Sequence, residues 1–220
     1  SVDVSGGDGA ACFVDQEGED YYIVSYVYNA YYQLYDFTAN AWRVIVEDLD
    51  NTEGDFINQA DLDSNLDILY TNGSSGTNYK LYRYSGLTAI PPFGTATQTV
   101  LTSPSLDSSP TAIKVSPYTT TSSTLLVGTE TGKLLKVTDA DTTPIWTEIS
   151  SNNFLGSISD IEFGADENEI LVTFHNYGVN SVWYSSDGGQ IWVSKEGDLP
   201  DMPVKCILQN PLVQDEVLLG

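Results

Sequence analysis

One pattern limits the possible folds of this chain more than any other. Short strand-like runs recur in groups of four, and each group is followed by another of the same order. The last complete group begins with Ser159-Asp160-Ile161-Glu162-Phe163, called a. It continues with Glu169 to Phe174 (b), Asn180 to Tyr184 (c) and Ile191 to Ser194 (d). The group before it reads Ala112 to Pro117, Thr124 to Gly128, Lys133 to Val137 and Ile145 to Glu148. Two earlier groups run through Phe56–Gln59, Asp67–Tyr70, Lys80–Tyr84 and a weak Thr97–Leu101, and through Cys12–Val14, Tyr21–Ser25, Tyr31–Phe37 and Ala41–Ile45. A fifth opens with Val204 to Leu208 and reaches Glu216 to Gly220. Val, Ile, Tyr, Thr and Trp fill the runs, and Gly, Asn, Asp, Ser and Pro break them every ~8–12 residues, which is the signature of strands joined by turns. No helical period competes.

A period of roughly 44 to 56 residues with four strands per unit is the spacing of propeller blades. The expected fold is all-β: a β-propeller of four-stranded blades at about 8–47, 55–102, 111–149 and 158–196, with the start of a fifth at 203–220. A β-sandwich with turns every ten residues is the competing arrangement. Tryptophan recurs on strand d at Trp42, Trp146 and Trp192, which a sandwich does not require. About four and a half blades fall short of the usual ring of ~6–8, and an unpaired strand edge is a liability. The sequence therefore reads as part of a larger propeller. The stretch Gly86 to Pro110, rich in Ser, Thr and Pro, is expected to be a loop on the ligand face or a tolerated insertion.

The turn Ser185-Ser186-Asp187-Gly188-Gly189-Gln190-Ile191-Trp192 aligns the units. Asp can bond its own backbone two residues on, and Gly accepts positive φ. Ser185, Asp187, Gly189 and Trp192 are read as structural. The stretch resembles the Asp-box of BNR-type β-propellers, with Ile191 where Thr is usual. Val115-Ser116-Pro117 to Leu126-Val127-Gly128-Thr129, and His175-Asn176-Tyr177-Gly178 before Val182-Trp183-Tyr184-Ser185, resemble the WD40/YVTN/BNR-like propellers of large secreted bacterial proteins. The resemblance implies an extracellular or cell-surface location, export of the type IX kind, and ligands bound by the b–c and d–a loops, opposite the c–d turn.

Charge narrows the partners. The 220 residues carry 31 acidic and 8 basic side chains, a net charge of −23. Nucleic acid and anionic membranes need Lys/Arg patches and are not expected partners. No apolar run approaches the ~18 residues of a membrane span. A protein or glycan is the expected partner, beside the rest of the same propeller. Seven of the 14 tyrosines lie between Tyr21 and Tyr35. Tyr21-Tyr22 and Tyr31-Tyr32 are adjacent, so one of each pair points away from the core in a strand.

Candidate chemistry is sparse. His175 is the single histidine and stands in a b–c turn, so histidine-based triads and metal clusters are not expected. Asp61, Asp63, Asn65 and Asp67 have the oxygen-ligand spacing of a calcium loop, but the Gly and Glu that such a loop uses are missing. They are weak calcium candidates or a solvated acidic turn; no other cofactor is expected. Asp8, Asp55 and Asp160 enter strand a and are weak catalytic candidates. The resemblance to propeller glycosidases implies paired carboxylates. Sialidases also use an arginine triad, and this chain has only Arg43 and Arg83. The reading is thus a non-enzymatic binding or scaffold module, the alternative a polysaccharide-active propeller. Cys12 and Cys206 both fall on strand a four units apart, too far for the ~7 Å Cα limit of a disulfide in such a ring. Two buried free thiols are expected.

Overall fold

A computed structural model describes residues 9–18 and 20–220. Among the described residues the chain is all-β, with one 3₁₀ turn at Leu87–Ala89 and five antiparallel sheets. The first sheet holds β1 (Cys12–Val14), β2 (Tyr21–Ser25), β3 (Tyr31–Asp36) and β4 (Ala41–Glu47). The second holds β5 (Ala60–Asp63), β6 (Ile68–Asn72), β7 (Leu81–Ser85) and β8 (Thr97–Leu101). The third holds β9 (Pro110–Val115), β10 (Leu125–Thr129), β11 (Leu134–Thr138) and β12 (Ile145–Glu148). The fourth holds β13 (Ile158–Phe163), β14 (Ile170–Phe174), β15 (Val182–Ser185) and β16 (Val193–Ser194). The fifth has two strands, β17 (Ile207–Gln209) and β18 (Val217–Leu219). Each four-stranded sheet is a meander in chain order, a propeller-like blade arrangement. The chain divides into two compact units, 1–102 and 103–220.

In the first unit the inner face of sheet one packs on sheet two. Tyr21, Ile23, Tyr32, Leu34 and Ile45 meet Leu69, Tyr82 and Tyr84. In the second unit Ala112, Leu126 and Leu134 of sheet three meet Ile161, Val172, Phe174 and Trp183 of sheet four, and Leu171 and Val182 meet Val204 and Ile207. Strands β6, β10 and β14 are buried at every position, so both of their faces are covered. Strand β2 instead alternates between buried and half-buried. Its outer face carries an aromatic cluster: Tyr22 stacks on Tyr35 at 5.3 Å, and Trp42 meets Tyr35 edge-on at 5.1 Å. One of each tyrosine pair is buried (Tyr21, Tyr32) and its neighbour (Tyr22, Tyr31) lies on the more open side.

Four features differ from the sequence reading. The first strand of sheet two is Ala60–Asp63, not Phe56–Gln59. Asn58 is buried and donates to the Asn72 carbonyl (2.9 Å) and to the Tyr32 hydroxyl (3.3 Å). It thereby holds 56–59 as a loop, with Phe56 and Ile57 half exposed. Asp61 and Asp63, placed in an acidic turn by spacing, consequently sit on β5. The stretch after Gly86 is anchored rather than merely inserted: Leu87, Ile90 and Ala96 are buried in the first unit's core. Finally, the thiols of Cys12 and Cys206 are free but exposed, not buried. On β1 it is Phe13 that turns to the core, and Ile207 takes the buried place next to Cys206.

A recurring polar device shapes every a–b turn. Asp15 accepts the amides of Glu17, Gly18 and Asp20, each at 3.1 Å. Asp63 accepts those of Asn65 and Leu66, and Asp166 those of Asn168 and Glu169. Ser116 serves Tyr118, and Asn210 serves Leu212. A short acceptor bonding two to five residues ahead replaces the ladder partners these amides lack.

Candidate loop-end cleft

The fourth sheet orients its two ends differently. At one end the Ser185–Trp192 hairpin closes on itself. Ser185, fully buried, donates to Asp187 Oδ1 (2.8 Å) and accepts the Gly189 amide (2.9 Å). Asp187 Oδ1 also accepts the Gln190 and Ile191 amides at 3.0 and 2.9 Å. The Ile191 amide first, and the Ser185 hydroxyl next, hold this carboxyl below its ordinary range. Gly188 and Gly189 have φ of 72° and 89°, a region closed to most side chains. Trp192 donates from Nε1 to the Ile149 carbonyl at 2.7 Å and packs edge-on against Phe154 at 4.9 Å. Both Ser185 and Asp187 are consumed by the hairpin.

At the opposite end the β14–β15 and β16–β17 connections and the 149–157 connection frame an open cleft of about 650 Å³. Asn152, Asn153, Asn180, Glu196, Asp201 and Trp183 are among its lining residues. Trp183 is 5% exposed and donates from Nε1 to the Asn180 carbonyl at 2.9 Å. Two carboxylates tie the loops together. Asp201 Oδ1 accepts the Gly178 amide at 2.6 Å, and Glu196 Oε2 accepts the Ser181 amide at 2.5 Å. Exposed Leu155 and Leu199 also line the cleft, and Tyr177, 71% exposed, stands on the loop next to it. The cleft thus joins fixed amides and carboxylates to apolar surface.

The positions singled out from sequence scatter. Asp8 lies outside the described residues. Asp55 is exposed in the β4–β5 connection and accepts the Asn72 side-chain Nδ2 at 3.3 Å. Asp160 accepts the Ile161 amide at Oδ1 (2.8 Å) and the Ile207 amide at Oδ2 (2.9 Å), which staples sheet four to sheet five. Asp55 and Asp160 belong to different units. Of the calcium candidates, Asp61 and Asp63 bond backbone amides, and Asp67 Oδ1 accepts the Tyr21 hydroxyl at 2.7 Å with its backbone at φ 53°. Asn65 serves through its amide in the Asp63 turn. Among the described residues no three His, Cys, Asp or Glu side chains are grouped to hold a metal ion. His175 is exposed in the b–c turn.

The sequence reading passed over one cluster. In the first unit Glu53 receives Lys80 Nζ at 2.7 Å and the Tyr82 hydroxyl at 2.6 Å, with Lys80 4.8 Å above the Tyr82 ring. Burial alone would raise the Glu53 carboxyl; the bonds from Lys80 and Tyr82 outweigh it and hold the group below its ordinary value. Next to it Asn29, wholly buried, donates to the Tyr84 hydroxyl at 2.6 Å and accepts from Thr71 at 2.7 Å. The signal was a lone Lys before an apolar strand. Nothing local indicated that a Glu 27 residues earlier would meet it.

No family model matches the chain, and no curated protein does. Among solved structures it is similar to the crystal structure of a functionally unknown protein from Desulfotomaculum acetoxidans DSM 771. The superposition has a TM-score of 0.67 at 14% identity and covers 98% of this chain and 63% of that one. At this identity the likeness is one of fold. The chain spans 63% of that neighbour's length.

Proposed function

We propose that the chain is a non-enzymatic binding or scaffold module of a larger secreted or cell-surface protein. It would form part of a β-propeller of four-stranded blades that takes a protein or glycan at its b–c and d–a loops. The observation that carries this reading is the cleft above Trp183. Its loops are pinned by Asp201 and Glu196, and a wall of asparagines and exposed apolar side chains supplies the mixed surface that such partners use. An acidic chain of net charge −23 disfavours nucleic acid and anionic lipid as the partner. The polysaccharide-active alternative would need ligand-face aspartates in pairs, and both oxygens of Asp160 already accept backbone amides.

The reading is tested by screening the protein against a glycan array and an extracellular-protein panel. Hits are then repeated with Asn180→Ala and Tyr177→Ala. Loss of at least tenfold in affinity in either variant, with unchanged thermal stability, supports the cleft. Ligand binding untouched by both variants rules it out. Release of oligosaccharides from a plant and algal glucan panel, lost in Asp160→Asn, would replace it with the hydrolase reading.

A further inference from the structure

Arg43 stands on the inward face of sheet one. Leu34 lies directly opposite it across β3 and β4 and is buried in the first unit's core; residues so opposed share a face. The Arg43 side chain is 17% exposed, and among the described residues its guanidinium makes no hydrogen bond. It has one charged neighbour there, Asp36 Oδ2 at 4.0 Å, beyond hydrogen-bond reach. Asp36 Oδ1 is occupied by the Ala39 amide at 2.7 Å. A guanidinium carries five N–H donors, and donors drawn out of water without a partner are costly.

A cavity of about 250 Å³ opens beside this group. Leu34, Leu87 and Ile90 give it apolar walls, and all three are buried. Asp20, Asp36 and Arg43 line it with charges of both signs. The far wall is the stretch that follows β7. Gly86, at φ 74°, turns the chain into the 3₁₀ turn Leu87–Ala89. Asp67 ties that turn to sheet one: Oδ1 accepts the Tyr21 hydroxyl at 2.7 Å and Oδ2 the Thr88 hydroxyl at 3.5 Å. Tyr21 and Thr88 also line the cavity. The walls run from Asp20 to Ile90 and lie wholly within the first unit.

The charges select the ligand. A cation alone would face the guanidinium. An anion alone would face Asp36 in a chain of net charge −23. A molecule with both charges satisfies both walls, because a carboxylate takes two parallel N–H bonds from one guanidinium and an ammonium brings three donors to carboxylates. The buried leucines and isoleucine reward an apolar body between them. The volume is under the ~300–1,000 Å³ of pockets that hold drug-sized ligands, so the body is small.

We propose that this cavity binds a free α-amino acid with an apolar side chain. Its carboxylate would take the Arg43 guanidinium, its ammonium would lie against Asp36 and Asp20, and its side chain would rest on Leu34, Leu87 and Ile90. The site lies where the a–b and c–d turns of sheet one meet the β7–β8 connection. It makes no use of the loop-end cleft, and the two readings can fail separately.

The test is calorimetric titration of the whole chain with leucine, and with its two halves: isocaproate, which lacks the amine, and isoamylamine, which lacks the carboxylate. Leucine is expected to bind saturably, at least tenfold tighter than either half and at least tenfold tighter than glycine. Arg43→Gln should weaken leucine binding tenfold or more. Arg43→Lys, which keeps the charge but loses the planar fork, should do the same with the melting temperature within a few degrees of the parent. In the unaltered chain, leucine should shift the methyl resonances of Leu34, Leu87 and Ile90. Asn180→Ala, in the loop-end cleft, should bind leucine as the parent does. Absence of saturable leucine binding, equal binding of glycine or of either half, or unchanged binding in both Arg43 variants would each overturn the proposal. So would methyl shifts confined to other residues, or loss of leucine binding in Asn180→Ala.

Discussion

Two carboxylates of this protein do similar jobs at different depths. Asp63 is 1% exposed and holds the amides of Asn65 and Leu66; Asp166 holds its two amides in the open. Removing a buried acceptor strands its donors at about 1–3 kcal/mol, whereas water replaces an exposed one. Urea denaturation should therefore show Asp63→Ala less stable by about 2 kcal/mol and Asp166→Ala within about 0.5 kcal/mol of the parent. Equal losses would mean that depth does not govern these turns. The Glu53–Lys80–Tyr82 group sets a pH dependence. The Glu53 carboxyl lies below its ordinary value of 4.5, so its contribution is complete above 4.5 and fades as pH falls through the lower folded value. Lys80 is raised from 10.5, chiefly by the Glu53 bond acting against burial, so its contribution is complete below 10.5 and fades at higher pH. Glu53→Gln should lower the melting temperature between those limits and converge on the parent as acid titrates Glu53. A constant gap down to strongly acidic pH would exclude the pairing.

At the scale of the element, the c–d hairpin of sheet four depends on Trp192 as much as on its turn. Trp192→Ala removes the Phe154 contact and the Ile149 bond, an expected loss of about 3 kcal/mol, the low end for a large aromatic because the ring is half-buried. Trp192→Phe should recover all but about 1 kcal/mol, the worth of the lost hydrogen bond. Calorimetry on the two variants separates packing from polar contribution, and identical losses would contradict the assignment. Much of this element structure was legible in the sequence. Strands β1, β2, β8 and β12 fall on the runs read from alternation alone, and others shift by one to three residues. Alternation is clearest on β2, whose positions alternate between buried and half-buried. It failed at Phe56–Gln59, where local apolarity pointed to a strand and a distant contact, Asn58 with Asn72, made a loop. It failed for the thiols because one register step decides which face a side chain joins. The cleft was legible only as an end of the sheet. Its position opposite the Ser185–Trp192 turn followed from strand direction, but the bonds from Asp201 and Glu196 to amides 23 and 15 residues away leave no local trace.

For the whole molecule, 31 acidic against 8 basic side chains mean that folding brings like charges together. Six ion pairs among the described residues offset a small part of this. Salt shortens the reach of the remainder, from about 10 Å at 0.1 M to about 3 Å at 1 M. The melting temperature should therefore rise with NaCl over that range, by about 2–4 °C for each kcal/mol of repulsion relieved. A fall, as when exposed ion pairs dominate, would show that attraction outweighs repulsion. The aromatic cluster on the outer face of sheet one has a spectroscopic consequence. Tyr22, Tyr35, Phe37 and Trp42 sit with ring centroids 5.1 to 5.6 Å apart in an asymmetric arrangement. Rings that close couple their electronic transitions, so near-ultraviolet circular dichroism should carry a band belonging to that one face. Trp42 is the single tryptophan of the unit spanning residues 1–102, and its signal can be removed by Trp42→Phe. The first sheet thus carries its own optical label, and its melting can be followed apart from that of the other four.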